Sequence, residues 1–341
     1  MKFDLLYRRR WLLVYVPILL VAAILLWLSY TRWIAQPPRV LTIAVGQASD
    51  SSAQLAPRYR QRLADMGIEA KILPHANAKL ALDSVLGSPA RADIAIASGL
   101  QAPAPAEPSG KASRGAQALA VIEREPVWVF SRIPLMTKLQ ELRSMRIGIV
   151  AEDELAPGIA ARLLQHAQLQ ISDVQIIKVP RDRMTNELID GQIDVAILLA
   201  SASNESARVL MRSPSIQILG VDQIRQLIDQ EPRLRPFVLP QGVIELRGDI
   251  PPRDLTLLSA DLQLVIRPNM HPALQRALLD VATQLHERPS FLQRQGEFPR
   301  VTDTDFPPSP TAVAAMRGSK PWLEHILPFG WAQLVQWLLL A

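Results

Sequence analysis

Residues 146–199 read RIGIVAEDELAPGIAARLLQHAQLQISDVQIIKVPRDRMTNELIDGQIDVAILL, and the punctuation of this stretch decides the fold. Arg146–Val150 is a short apolar run expected to be a strand, Pro157–Ala167 has helical spacing with proline suited to its first turn, and Val174–Val179 is again strand-like. Met184–Ile189 reads as a short helix stopped by Asp190-Gly191, and Ile193–Leu199 closes the unit as a strand. The same series stands upstream. Arg39–Val45 is strand-like, Ser52–Met66 is helical with Leu55, Tyr59, Leu63 and Met66 on one face, and Ala70–Leu73 is a second strand. Asn77–Leu86 continues as a helix closed by Gly87, and Ala92–Ala97 is apolar enough for a strand buried on both faces. Ile43 to Ile72 is 29 residues and so is Ile147 to Ile176, with third strands about 20 further on at Ile94 and Val195. Two similar α/β modules therefore stand in tandem. Sheets of this kind hold ligands beyond the carboxyl ends of their strands, and two such lobes facing each other make a cleft. The first strands run into VGQASDSS and VAEDELAPG, so the glycine pattern of a dinucleotide-binding domain is absent from both.

The chain flanking these modules is apolar at both ends. Trp11–Thr31 is 21 residues without a charge, long enough at 1.5 Å per residue to cover the roughly 30 Å hydrocarbon core. It ends in bulky Trp27, Tyr30, Arg32 and Trp33 instead of small residues, so it is expected to be an uncleaved anchor over residues 11–34 and not a signal peptide. Arg8, Arg9 and Arg10 precede the span, which places residues 1–10 in the cytoplasm and the main domain across the bacterial inner membrane, in the periplasm. Residues 326–341 (ILPFGWAQLVQWLLLA) are 16 uncharged residues, too short for a full span; they lie in the interface, enter the bilayer obliquely, or pack on the domain as a C-terminal apolar helix.

The 341 residues include no cysteine, which excludes a disulfide scaffold, a zinc-thiolate site and a redox pair. The net charge of +5 counts Lys2, Arg8, Arg9 and Arg10 against Asp4, so only +2 remains beyond residue 10 and no nucleic-acid-binding face is implied. The 49% apolar content is high for a soluble enzyme. Residues 101–117 are rich in proline and glycine and read as a solvated loop. Leu119–Ser131 carries the chain into the second lobe and Pro236–Pro252 returns it; Leu255–Ile266 supplies further strands. His271–Glu287 is a helix with Leu274, Leu278, Val281 and Leu285 at core spacing, and Ser309–Met316 a short helix with Ser309 as its cap.

Catalytic signatures are missing. None of the five histidines stands in an H-E-x-x-H arrangement, no G-x-S-x-G elbow occurs, and Ser109-Gly110-Lys111 lacks the upstream glycine of a phosphate loop. No metal, nucleotide or other cofactor is called for, and the chain is not expected to be an enzyme. Asp93 and Asp194 open the third strand of each module; they read as solvated strand starts or as paired carboxylates, and nothing in their spacing aims them at each other.

Several segments resemble, in order and spacing, the TAXI family of TRAP transporter solute receptors, and more closely its membrane-anchored members, over about residues 35 to 337. They include Glu125-Pro126-Val127-Trp128-Val129-Phe130, Gly191-Gln192-Ile193-Asp194-Val195-Ala196, Leu239-Pro240-Gln241-Gly242-Val243, Ile250-Pro251-Pro252-Arg253-Asp254, Met270-His271-Pro272-Ala273-Leu274, Gly296-Glu297-Phe298-Pro299 and Ile326-Leu327-Pro328-Phe329. The resemblance implies a two-lobed, type II periplasmic-binding-protein-like α/β fold, with lobe 1 from residues 39–125 and 245–310, lobe 2 from 126–244, and 311–341 as C-terminal helix and tail. It also implies capture of a small polar solute, an organic acid or amino acid, for a TRAP-type permease. The family's second-lobe loop usually offers a Gly-Ser-Gly nest for a carboxylate; here it is Ala151-Glu152-Asp153-Glu154, which suits the helix dipole but repels an anion. An interaction protein that kept the fold and lost the ligand is the alternative.

Candidate ligand groups follow from the strand-to-helix junctions. Gln47, Ser49, Ser51 and Ser52 either hydrogen-bond a ligand or simply cap a helix. Ser98 and Ser201, after the third strands, stand at the cleft rim or serve as turn residues. Trp128 stacks on a ligand or braces the crossing between lobes, and Glu152 and Asp153, with Glu154, attract a cationic group or form a solvated acidic cap.

Overall fold

Ile43 pairs with Ile72, and Ile147 with Ile176, so the repeated 29-residue interval is the register of two parallel strand pairs. Ile43 also pairs with Ile94 and Ile147 with Val195. The computed structural model describes residues 15–21, 39–46, 51–101, 116–134, 136, 138–201, 204–221 and 225–318. The chain divides into two compact units, residues 1–38 with 319–341, and Arg39–Gly318. In the first unit residues 15–21 form a helix with exposed side chains; the rest of the expected anchor (11–34) and the apolar tail (326–341) lie outside the described residues. Among the described residues no helix is long and apolar enough to cross a membrane. Most of the expected solvated loop, residues 102–115, also lies outside them.

Within Arg39–Gly318, β1 (Val40–Val45) lies between β2 (Glu69–Pro74) and β3 (Ile94–Ser98), and β5 (Arg146–Val150) lies between β6 (Gln175–Val179) and β7 (Val195–Leu199). Two long strands join these triplets: β4 (Gln117–Ser131) and β10 (Leu255–Ile266). The sheet order is β2-β1-β3-β10-β4-β7-β5-β6, with β8 (Gln217–Ile218) on β4 and β9 (Arg235–Leu239) on β10. The end of β10 pairs with β3 while its start pairs with β9, and the end of β4 pairs with β7. Each triplet is thus bordered, antiparallel, by a strand that also serves the other half. Leu255–Ile266 is one continuous strand and not several, because a single 12-residue strand is needed to run across both halves.

The helices cover this sheet. α1 (Ser51–Asp65) and α7 (Pro272–His286) bury Leu55, Tyr59 and Leu63 with Leu274, Leu278 and Val281 in the first core, as the periodicity predicts, with Leu285 partly buried against it. Met66, expected on the same face as Tyr59 and Leu63, follows the end of α1 and is exposed. α3 (Ala156–His166) buries Ile159, Leu163 and Leu164 against β5 and β7 in the second core. α2 (Ala78–Leu86) is capped by Asn77, whose Oδ1 accepts from Leu80 N at 2.8 Å. Gly191, after α4 (Met184–Ile189), has φ 75°, a left-handed turn that favours glycine, whereas Gly87 at the end of α2 is extended at φ −63° and does not use that freedom. α5 (Glu205–Arg212) and α6 (Arg225–Gln230) are additions that the sequence pattern left unmarked; the first is capped by Asn204, which accepts from Ala207 N. Before α8 (Pro310–Met316), Ser309 holds the cap position, but its hydroxyl donates to Gln275 Oε1 at 2.5 Å and not to the helix.

Asp93 and Asp194 are neither solvated strand starts nor a catalytic pair. Asp93 Oδ2 accepts from Thr42 N at 2.8 Å and its carboxylate pairs with Arg267 at 2.7 Å. Asp194 does the same in the other half: Oδ2 accepts from Arg146 N at 3.0 Å, and the Arg146 guanidinium binds both oxygens at 2.7 and 3.0 Å. Each ties the start of a third strand to the first strand of its module. Hydrogen bonding from Arg146 holds the Asp194 carboxyl below the usual carboxylate range, against the opposing effect of burial.

Candidate functional site

The parallel triplets direct their carboxyl ends toward one cavity of about 370 Å³. From the first module come Ser51 and Ser52 after β1, Asn77 and Lys79 after β2, and Gln101 after β3; from the second come Glu152, Asp153, Glu154 and Leu155 after β5 and Arg181 after β6. Glu125 of β4 and Leu262 of β10 belong to the crossing strands and line it too. The volume is within the range of small-molecule sites. One hydrogen bond spans it directly: Asn77 Nδ2, on the first side, donates to Glu154 Oε1, on the second, at 2.5 Å.

The lining is acidic and partly buried. Glu125 is only 6% exposed. Burial, aided by Glu123 and Asp153, pushes its carboxyl up to about 7 despite a hydrogen bond from Ser51 and the attraction of Arg181. Two residues earlier on β4, Glu123 is likewise pushed up to about 7 by burial, against a hydrogen bond from Ser201 and the charge of Arg58. Asp153 Oδ1 accepts from Leu155 N at 2.9 Å at the start of α3, and burial pushes this carboxyl up as well. Glu152 Oε2 accepts from the backbone N of Arg181 at 3.3 Å. Arg124, between the two glutamates, points to the other face of β4, where it pairs with Glu297 at 2.6 Å and lies over the Phe237 ring.

Of the residues expected from sequence, Ser51, Ser52, Glu152 and Asp153 are brought together at the cavity. Gln47 and Ser49 lie outside the described residues. The Ser52 hydroxyl accepts from Gly46 N at 3.2 Å, so this serine ties the start of α1 to the residue after β1 at the cavity wall. Trp128 does not reach the cavity: it is fully buried, stacks on Phe130 at 5.8 Å between ring centroids, and donates from Nε1 to Ala200 O at 2.9 Å. It braces the crossing from β4 to β7. Ser98 is a turn residue, accepting from Leu100 N at 3.3 Å, and Ser201 is buried on Glu123; neither lines the cavity. Glu125, Asn77, Lys79 and Arg181 were missed. The signal for Glu125 was available, since Glu123-Arg124-Glu125 interrupts an otherwise apolar strand. Among the described residues no group of three or more His, Asp or Glu is placed to hold a metal ion.

A family model described as NMT1/THI5 like matches residues 63–218. No curated protein matches the chain in sequence. Among solved structures, a protein of Bordetella bronchiseptica RB50 is similar at 20% identity and a TM-score of 0.43, over 73% of each chain. The periplasmic aliphatic sulphonate binding protein SsuA of Escherichia coli is similar at 11% identity and 0.43, over 72% of this chain and 68% of that one. The periplasmic binding protein of Salmonella typhimurium described for high arginine specificity is similar at 10% and 0.40, over 74% of this chain and 96% of that one. With its two βαβ triplets sharing two crossing strands, the fold is α/β and periplasmic-binding-protein-like.

Proposed function

We propose that the chain is a solute receptor for uptake, which captures a small polar molecule between its two halves and hands it to a membrane permease. The observation that carries this reading is the convergence of the carboxyl ends of both triplets on one cavity. Crossing strands β4 and β10 supply the connections about which the halves open and close. The finer assignment, a membrane-anchored TAXI receptor serving a TRAP-type permease from the periplasm, is supported by the ordered motifs from Glu125–Phe130 to Ile326–Phe329 and by the uncharged run Trp11–Thr31. The work asked of the site is selective binding and release. Thermal unfolding of the full-length chain in mild detergent, against panels of organic acids, amino acids and amines, tests it: at least one class raises the midpoint in a concentration-dependent way. A folded protein whose midpoint no class moves contradicts the reading and favours the tethered interaction protein instead.

A further inference from the structure

The cavity holds more negative than positive charge. Its lining carries four acidic side chains, Glu125, Glu152, Asp153 and Glu154, against two basic ones, Lys79 and Arg181. Three of the four are engaged at its edge, Glu154 by Asn77, Glu152 by the Arg181 backbone and Asp153, through Oδ1, by the Leu155 backbone. Glu125 is 6% exposed at the crossing strands and has the Ser51 hydroxyl as its hydrogen-bond partner, whereas a carboxylate offers about four acceptor sites. A dicarboxylate entering this cavity would meet like charge in a poorly screened space, and a cation would meet its complement.

Resting on the receptor reading, we infer that the cleft takes a small organic cation whose ammonium or guanidinium N–H groups bond to the Glu125 and Asp153 carboxylates. Lys79 lies on the same lining, where it meets a carboxylate elsewhere on the same solute, so a cationic amino acid fits as well as a plain amine. The charged groups acting on Glu125 are Glu123 on its own strand and Asp153 and Arg181 from the second half. Burial is the main cause of the upward displacement of both carboxyls, aided at Glu125 by the charges of Glu123 and Asp153; a cation bound at Glu125 favours its ionised form and displaces a proton from it.

Titration calorimetry on the full-length chain in detergent at pH 7, with agmatine, putrescine and L-arginine against succinate and L-glutamate, tests this. At least one cation is expected to bind ten times or more tighter than either anion, with a heat that varies with buffer ionisation enthalpy because protons are released. Glu125→Gln is expected to weaken the cation at least tenfold and to diminish proton release; Asp153→Asn weakens it in the same direction, a second variant should the first not fold. Succinate or L-glutamate binding tighter than every cation, or unchanged cation affinity in both variants, overturns the inference and leaves the receptor reading standing. A folded chain that binds none of the five overturns the inference, and absence of any hit in the wider thermal panel then removes the receptor reading as well.

Discussion

At the scale of single residues, the cleft is governed by carboxylates held where water and counter-charge are scarce. Glu125 has an ordinary value of 4.5 and is pushed up to about 7 mainly by burial. Between those values the folded chain keeps a proton that the unfolded chain has released, so this contribution to stability is complete below pH 4.5 and is lost as pH rises through about 7. His286 acts oppositely: burial lowers it from 6.5 to about 4, so its contribution is complete above pH 6.5 and is lost as pH falls toward 4. Between pH 6.5 and 8 the histidine adds back only about 0.4 kcal/mol, as the unfolded chain loses the remaining half of its proton. Urea unfolding of the solute-free protein over that interval is expected to lose about 1 kcal/mol through Glu125, beside a similar loss through Glu123, and Glu125→Gln is expected to keep only the latter. A pH dependence identical in the two proteins would show that Glu125 is not the titrating group. Trp128 shows why residue identity alone misleads: the strand alternation that turns Glu125 to the cavity places Trp128 among Phe130, Leu257 and Leu188 in a core.

At the scale of elements, the interval between apolar runs was legible because parallel pairing makes it a physical quantity. Ile43–Ile72 and Ile147–Ile176 are register partners, and the loops between them had to deliver Ser51, Ser52, Glu152 and Asp153 to one end of the sheet. Shorter elements were not legible. β8 has two residues, too few for any period to declare itself, and α6 has six, as many as α4, which was legible only through its Asp190-Gly191 stop. Glu125 escaped for a different reason: it is brought to the site by a crossing strand, whereas local reading searches the loops. Asn77 joins two elements, capping α2 through Oδ1 and reaching Glu154 across the cavity through Nδ2. Asn77→Ala is expected to cost about 1 kcal/mol in chemical denaturation from the lost cap. Asn77→Ser, which restores a cap but not the reach, is expected to recover most of it and still weaken solute retention. Full stability in Asn77→Ala would refute the capping role.

At the scale of the molecule, two triplets share β4 and β10, and the back of the crossing is fastened by ion pairs. Asp261 on β10 is fully buried and pairs with Arg235 at 2.8 Å and with Arg300, while Arg235 also reaches Asp305 at 3.0 Å. The crossing is thus fixed on one side, with the cavity between the ends of the two triplets, the arrangement a hinge requires. The absence of native cysteine allows the motion to be read cleanly. Asp83 on α2 and Gln165 on α3 are exposed and belong to opposite halves. The most direct measurement is the distance distribution between spin labels at Asp83→Cys and Gln165→Cys in the full-length chain, with and without agmatine, L-arginine, L-glutamate and succinate. The account expects a cationic solute to shorten and narrow the distribution in proportion to occupancy; a distribution that none of the four solutes changes would contradict it.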